Sequence, residues 1–469
     1  VEEKLPTQPI NIWAKLEKVN KKDYSNKTLM TSFTHFPEVP VIEFLKHAGN
    51  ILKNPLPFHQ KNFEALGDTF RLNLGLGNSV VFSRDPEFAI YALRDNQKNF
   101  KKTDIQTKDL AKYVGHGLLT SEGVKWKSQR KLIQPAFHKK NLYSLLDVMV
   151  EAIDIELKRI EVDTPIDIFP IFNDLAFKVV VKSLFSDAIN AEEISRLQYI
   201  TEETQKMLVK ELRQPYKKWW FVLSGELKRN LNLSQEARDL LIGIIKRRQN
   251  SDSESKDLLD MLMALTYEDG SKMNQEQLID EILILFIAGH ETTSNALSFT
   301  IQLIGQDEHV QEKLVSEINQ FEDHSFFDIL KDSKYTEDVI QESMRLFPPV
   351  YFIDRQNIER DTFKGFEIPQ GTTLLFSVHQ IHRNATNWEN PTQFKPERFQ
   401  ESRSVSNFYF PFGAGPRKCI GNNFAMYEIT LAIHRLLKTY KIEQVNKEIE
   451  IQPLISLKPK NAIVTFSKR

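Results

Sequence analysis

The chain has 469 residues, 62 Lys plus Arg against 63 Asp plus Glu, and one cysteine. A net charge of −1 gives no global pull toward nucleic acid or anionic membranes, and one cysteine excludes both a dithiol redox pair and a multi-thiolate zinc site. The longest apolar run, Ile282 to Ala288, is far short of the roughly 20 residues a membrane span needs, so a protein without a span is expected. No signal peptide is visible at Val1, and a single cysteine suits a reducing cytoplasm.

In chain order, an N-terminal arm of about 1–35 leads to a β-containing part of about 36–83. Strands are expected at Thr69–Leu76 and Ser79–Ser83, with Gly75 and Gly77 marking a tight hairpin. From Lys125 to Lys140 the chain carries Lys125, Lys127, Arg130, Lys131, Lys139 and Lys140 and no acid. A long apolar helical pattern runs from about Asn274 to Gly305, on the order of 45 Å and able to cross a whole domain. Inside it, Ala288-Gly289-His290-Glu291-Thr292-Thr293 combines a glycine with threonines whose hydroxyls can bond the carbonyl four residues back, expected causes of a local opening. Glu342 and Arg345, three apart, share one helix face, which Pro348-Pro349 terminates. Short strands are expected around Pro349–Gln356, Thr362–Ile368, Thr372–Val378 and Ala462–Phe466, with Pro369-Gln370-Gly371 as a turn.

The cysteine sits in Phe412-Gly413-Ala414-Gly415-Pro416-Arg417-Lys418-Cys419-Ile420-Gly421. Three glycines and a proline imply unusual φ/ψ values that bring amide N–H groups close to something. Ala425, Ile429, Ile433 and Leu436 then repeat at helical spacing, so Cys419 lies just before a helix N-terminus, which favours a thiolate. A cysteine nucleophile needs a histidine base, which eleven histidines leave open although no protease-like signature surrounds Cys419. The remaining chemistry for a lone thiolate is axial ligation of haem iron, where it promotes O–O cleavage.

Phe412, Gly415, Arg417, Cys419 and Gly421 match the haem loop of the cytochrome P450 family, which the chain resembles. The resemblance extends from Trp126 to Gly421 and implies one mainly α domain with small β-sheets over 1–469. A long central helix would pass over a haem b held by Cys419 as metal ligand, in a helical core of about 84–440, with strands returning at 349–378 and 462–466. Glu291 and Thr292 look like the acid and alcohol that supply protons for dioxygen reduction, while His290 faces away and receives no role. Glu342, Arg345 and the Arg398 of Pro396-Glu397-Arg398-Phe399 resemble the family's structural ion network. Trp126 and Arg130, four apart on one helix face, with Arg417 and Arg355, are the implied partners of the haem propionates.

The implied activity is that of a monooxygenase using O2 and two electrons, delivered by a ferredoxin or flavodoxin with its NAD(P)H reductase. The basic Lys125–Lys140 segment, with Arg417 and Lys418, would border the docking side. A non-enzymatic haem sensor is the different-class alternative, which the intact Glu291 and Thr292 disfavour. The pocket is implied to lie between the 101–119 loop, a helix pair at about 201–227, Ala288, the strand with Val350, Tyr351, Phe352 and Ile353, and the turn near 454–458. The apolar Val350–Ile353 run suits fatty acyl chains or terpenoids. Asp104, Gln106, Thr107 and His116, with Tyr216, Trp219 and Trp220, would instead suit a small oxygenated molecule such as an O-methyl sugar, undergoing oxidative demethylation, unless the tryptophans only pack a core. The Lys-, Asn-, Phe- and Ile-rich cast suggests a bacterial enzyme, and a monomer is expected.

Overall fold

The computed structural model describes residues 34–75, 77–251, 256–321, 323–401 and 405–469. The N-terminal arm up to residue 33 and the expected strand end at Leu76 lie outside them. Helices dominate and the sheets are small, as the composition-independent motifs imply. The largest sheet has six strands in the order Glu38–Val39, Thr69–Gly75, Asn78–Ser83, Thr373–Ser377, Phe352–Asn357 and Phe100–Lys101. Its hairpin pairs Phe70 with Phe82 and Leu72 with Val80. The strand from 373 then joins parallel to Asn78–Ser83 and antiparallel to Phe352–Asn357. One sheet is thus assembled from the two ends of the chain, which brings the Arg355 segment beside Phe100–Lys101.

The central helix runs from Gln275 to Gln306, and Asn274 caps it by accepting the N–H of Gln277 at 2.8 Å. It is buried along most of its length, and Ile168–Phe185 packs across it; a Cβ at Gly289 would stand 3.0 Å from Val180, so the glycine permits this close crossing. Contrary to the expected opening, the helix is continuous through Gly289–Thr293. The hydroxyl of Thr292 does bond the carbonyl of Ala288, at 2.7 Å, without breaking the helix. Two other expectations are corrected. The single strand expected at 362–368 is a hairpin of Asp361–Phe363 and Phe366–Ile368, because Lys364 and Gly365 both have positive φ. The helix pair at 201–227 is instead the end of Ala191–Arg213, a short helix Lys218–Leu223, and the start of Glu226–Gln249.

Candidate active site

The cysteine loop is shaped by its backbone. Gly413 and Gly415 have φ of 73° and 69°, and a Cβ on Gly415 would fall 2.0 Å from the carbonyl oxygen of Leu93, so both the turn and the close approach require glycine there. A short 3-10 turn, Gly415–Arg417, follows, and the Cys419 N–H closes the loop on Phe412 O at 2.9 Å. The helix Asn422–Thr439 begins directly afterwards. Solvent reaches Cys419, yet protein encloses it closely enough that burial pushes its thiol upward, against the opposing Gly421 N–H, Arg130 and Lys418. A bound metal cation acts in the opposite sense, since a coordinating thiol is deprotonated outright.

Cationic side chains gather beside the loop. The Arg417 guanidinium lies 4.8 Å above the Trp126 ring, donates to Glu122 at 2.7 Å and to Phe100 O at 3.1 Å, and keeps a buried Nε without a partner. Arg355 is buried and, among the described residues, donates only to its neighbour's carbonyl, Asp354 O, at 2.7 Å, with its Nε left without a partner; burial and then Arg417 hold it down at about 10. Arg130 reaches across to Lys418 O at 2.8 Å. Sequence reasoning missed Lys102, whose buried ammonium donates to Leu118 O and Ser121 O at 2.9 Å and is pushed down to about 7, chiefly by burial. Asp354 is occupied by Thr103 and by Gln106 at 2.8 Å, so the nearby cations exceed the carboxylates free to answer them. Unpaired buried donors are costly unless a ligand answers them, and an anionic ligand with two carboxylates fits this donor set.

At the middle of the central helix Ala288 is exposed, with Glu291 and Thr292 half-exposed, although the helix is buried on either side. This stretch is therefore accessible where its neighbours along the helix are not. The Glu291 carboxylate accepts the Ser456 hydroxyl at 2.6 Å. His290 is buried, bonds Phe286 O at 2.7 Å and sits edge-on to Phe177.

Glu342, Arg345 and Arg398 meet in the core. Arg345 grips Glu342 through two bonds of 2.7 and 2.9 Å, and Arg398 Nε donates to the same carboxylate at 2.9 Å. Arg345 also donates to the carbonyls of His382, Pro391 and Gln393, tying the 382–393 loop to one helix.

The pocket expectations fare unevenly. Val350 is 41% exposed, whereas Tyr351 packs with Leu56, Phe299 and Leu457, and Phe352 packs against His59 and Phe82. The two rings also meet each other, with centroids 5.0 Å apart. In the first loop, Asp104 is held by Lys108, Gln106 by Asp354, and Thr107 by Thr103 O. Tyr216, Trp219 and Trp220 neither pack a core nor line an enclosed wall; they are 62%, 66% and 49% exposed on the outer surface. On the far side of the cysteine loop, an open cleft of about 440 Å³ is rimmed by Lys139, Lys331, Lys334 and Lys418, two of which the sequence pattern had not suggested.

A family model described as Cytochrome P450 matches residues 35–466. The chain is 30% identical over 446 residues to "Cytochrome P450 4d2" of Drosophila melanogaster, covering 87% of this chain and 88% of that protein. It is 26% identical over 421 residues to "Pentalenene oxygenase" of Streptomyces avermitilis, covering 89% and 92%. Among solved structures it is similar to a retinoic acid-bound cyanobacterial CYP120A1, with a TM-score of 0.78 at 26% identity, over 93% of this chain and 100% of that one.

Proposed function

The chain belongs to the cytochrome P450 family of haem monooxygenases, and on that premise we propose that it hydroxylates an apolar molecule of terpenoid or fatty acyl type. The observation carrying the substrate class is the fate of the polar candidates. Gln106 and Thr107 spend their polar atoms within the protein, Asp104 and His116 are solvent-exposed, and the aromatics of 216–220 face outward, which leaves Ala288 and Val350 as open, apolar positions. A sugar's hydroxyls buried without partners would bind poorly. The names of two relatives agree, since pentalenene and retinoic acid are both carbon skeletons with few polar groups.

Cys419, within the Phe412–Gly421 loop, would hold haem b, which when bound would supply reductive activation of O2 and transfer of one oxygen atom to carbon. The chain's residues do the rest. Arg355, Arg417, Trp126 and Arg130 orient the propionates, with Lys102 as an additional cation in the same cluster. Thr292 gives its own hydroxyl hydrogen to Ala288 O, so its oxygen lone pairs remain to accept a hydrogen bond and align a proton donor. Glu291 is the carboxyl that moves protons between solvent and that position. Glu342, Arg345 and Arg398 support the fold and take no part in the chemistry.

Electrons come from a separate acidic carrier, a ferredoxin or flavodoxin with its reductase, which the lysine-rimmed cleft beside Phe412 and Lys418 suits. Among the described residues no helix is long and apolar enough to cross a membrane. We assign the enzyme to the cytoplasm on its single cysteine, and as a monomer.

Optical titration of the ferric protein tests the substrate class, with fatty acids and terpenoids in one panel and O-methyl sugars in the other. Saturable conversion to the high-spin band by the apolar panel alone is expected. A response confined to the sugars, followed by formaldehyde release on turnover, would replace hydroxylation by oxidative demethylation.

A further inference from the structure

We infer that Ser456, supported by Asn295, is a positioning residue for Glu291 and couples the substrate-facing turn to proton entry. The inference rests on the reading of Glu291 as the proton-handling acid. Ser456 lies almost buried in the turn between the paired strands Glu450–Pro453 and Leu457–Lys460. Its hydroxyl donates to Glu291 Oε1 at 2.6 Å and its oxygen accepts from Asn295 Nδ2 at 2.9 Å. Asn295 is fully buried and stands four residues beyond Glu291, on the same helix face.

The polarity of this chain is fixed by its members. An amide nitrogen can only donate, so the serine oxygen accepts from it and the single serine hydrogen goes to the carboxylate. One carboxylate oxygen is thereby anchored, while Oε2 has no hydrogen bond among the described residues and is the one left to take up and release a proton. A short bond to an ionised acceptor is of the stronger kind, so moving Glu291 toward Thr292 requires letting go of Ser456.

The turn is also stapled to the apolar wall. Tyr351 donates its phenol to Leu454 O at 2.6 Å, and the Leu457 N–H donates to Pro349 O at 2.8 Å, on either side of Val350. A molecule pressing on Val350 therefore displaces the segment that carries Ser456. Proton supply becomes linked to occupancy of the pocket without any direct contact between ligand and acid.

The test uses the haem-loaded full chain with a supplied ferredoxin system, and compares the parent with Ser456→Ala, Ser456→Thr and Glu291→Gln. Infrared spectroscopy identifies the Glu291 carboxylate band as the one lost in Glu291→Gln. Ser456→Ala is expected to shift that band, to abolish its response to added ligand, and to raise the peroxide-to-product ratio about tenfold, the size of one lost hydrogen bond to a charged group. Ligand affinity from optical titration should rise, because binding no longer has to loosen the Ser456–Glu291 bond, and Ser456→Thr, which keeps the hydroxyl, should restore band, ratio and affinity. An unmoved band and ratio in Ser456→Ala, with Glu291→Gln strongly uncoupled, overturns this inference alone. An unchanged ratio in Glu291→Gln overturns the reading of Glu291 and the inference with it.

Discussion

Replacing Glu342 by alanine removes a carboxylate on which four donors converge. Arg345 Nε and Nη2, Arg398 Nε and the Lys395 N–H lie 2.7, 2.9, 2.9 and 2.9 Å from its oxygens. Glu342 and Arg345 are completely buried, so the variant leaves a desolvated guanidinium facing the neutral carbonyls of His382, Pro391 and Gln393 and the Trp388 ring. Breaking a buried pair from one side costs about 3–5 kcal/mol, out of a total of roughly 5–15 kcal/mol for a folded protein. At about 2.1 cal/mol/K per residue, a chain of 469 residues loses about 1 °C per kcal/mol, so Tm should fall by about 3–5 °C. The exposed pair Lys460–Glu450 is the control, and Lys460→Met should cost less than about 1 kcal/mol. Adding Arg345→Met to Glu342→Ala should recover little, because the arginine's three carbonyl partners would then be orphaned as well. Calorimetry of matched holoproteins measures all three variants. A Glu342→Ala shift no larger than that of Lys460→Met would refute the claim that this network supports the fold.

Burial raises the Glu281 carboxyl to about 7, against the opposing Leu118 N–H and Gln277. The folded state therefore binds more protons than the unfolded one between about pH 4.5 and 7. This group's contribution to stability is fully present below that window and is lost as pH rises through about 7. Denaturant melts across the window should show the decline, and Glu281→Gln should remove this component of it. Arg355→Leu takes away a buried cation with an orphaned Nε and should speed haem loss to a scavenging apoprotein by about tenfold, the effect of one charge-assisted bond. Gly415→Ala forces a Cβ into the Leu93 carbonyl at a φ of 69°, so the purified variant should contain little haem at normal expression. Full haem content in that variant would contradict the account of the loop.

Legibility of the sequence followed the range of the interactions. The Phe412–Gly421 loop was readable because local backbone demands select its glycines, and the central helix was read within a residue at each end because Asn274 caps it. Spacing placed Glu342 and Arg345 on one helix face, while Arg398 joined them only through the family resemblance. The 362–368 strand was misread because Lys364 adopts a positive φ that its identity does not announce. The outward tryptophans were misplaced because apolarity alone does not say which face of a short helix finds a partner. Lys102 and Ser456 carried no motif at all. Ser456 meets Glu291 across 165 positions of sequence, and only the fold brings such pairs together.

The claim on which everything else depends is that Cys419 supplies the axial thiolate. The most direct measurement is the carbon monoxide difference spectrum of the reduced protein, taken for the parent and for Cys419→Ser. The parent should show the strongly red-shifted Soret band of thiolate-ligated haem, and Cys419→Ser should lose it while retaining some bound haem. A parent without that band, or a Cys419→Ser variant that keeps it, would contradict the account.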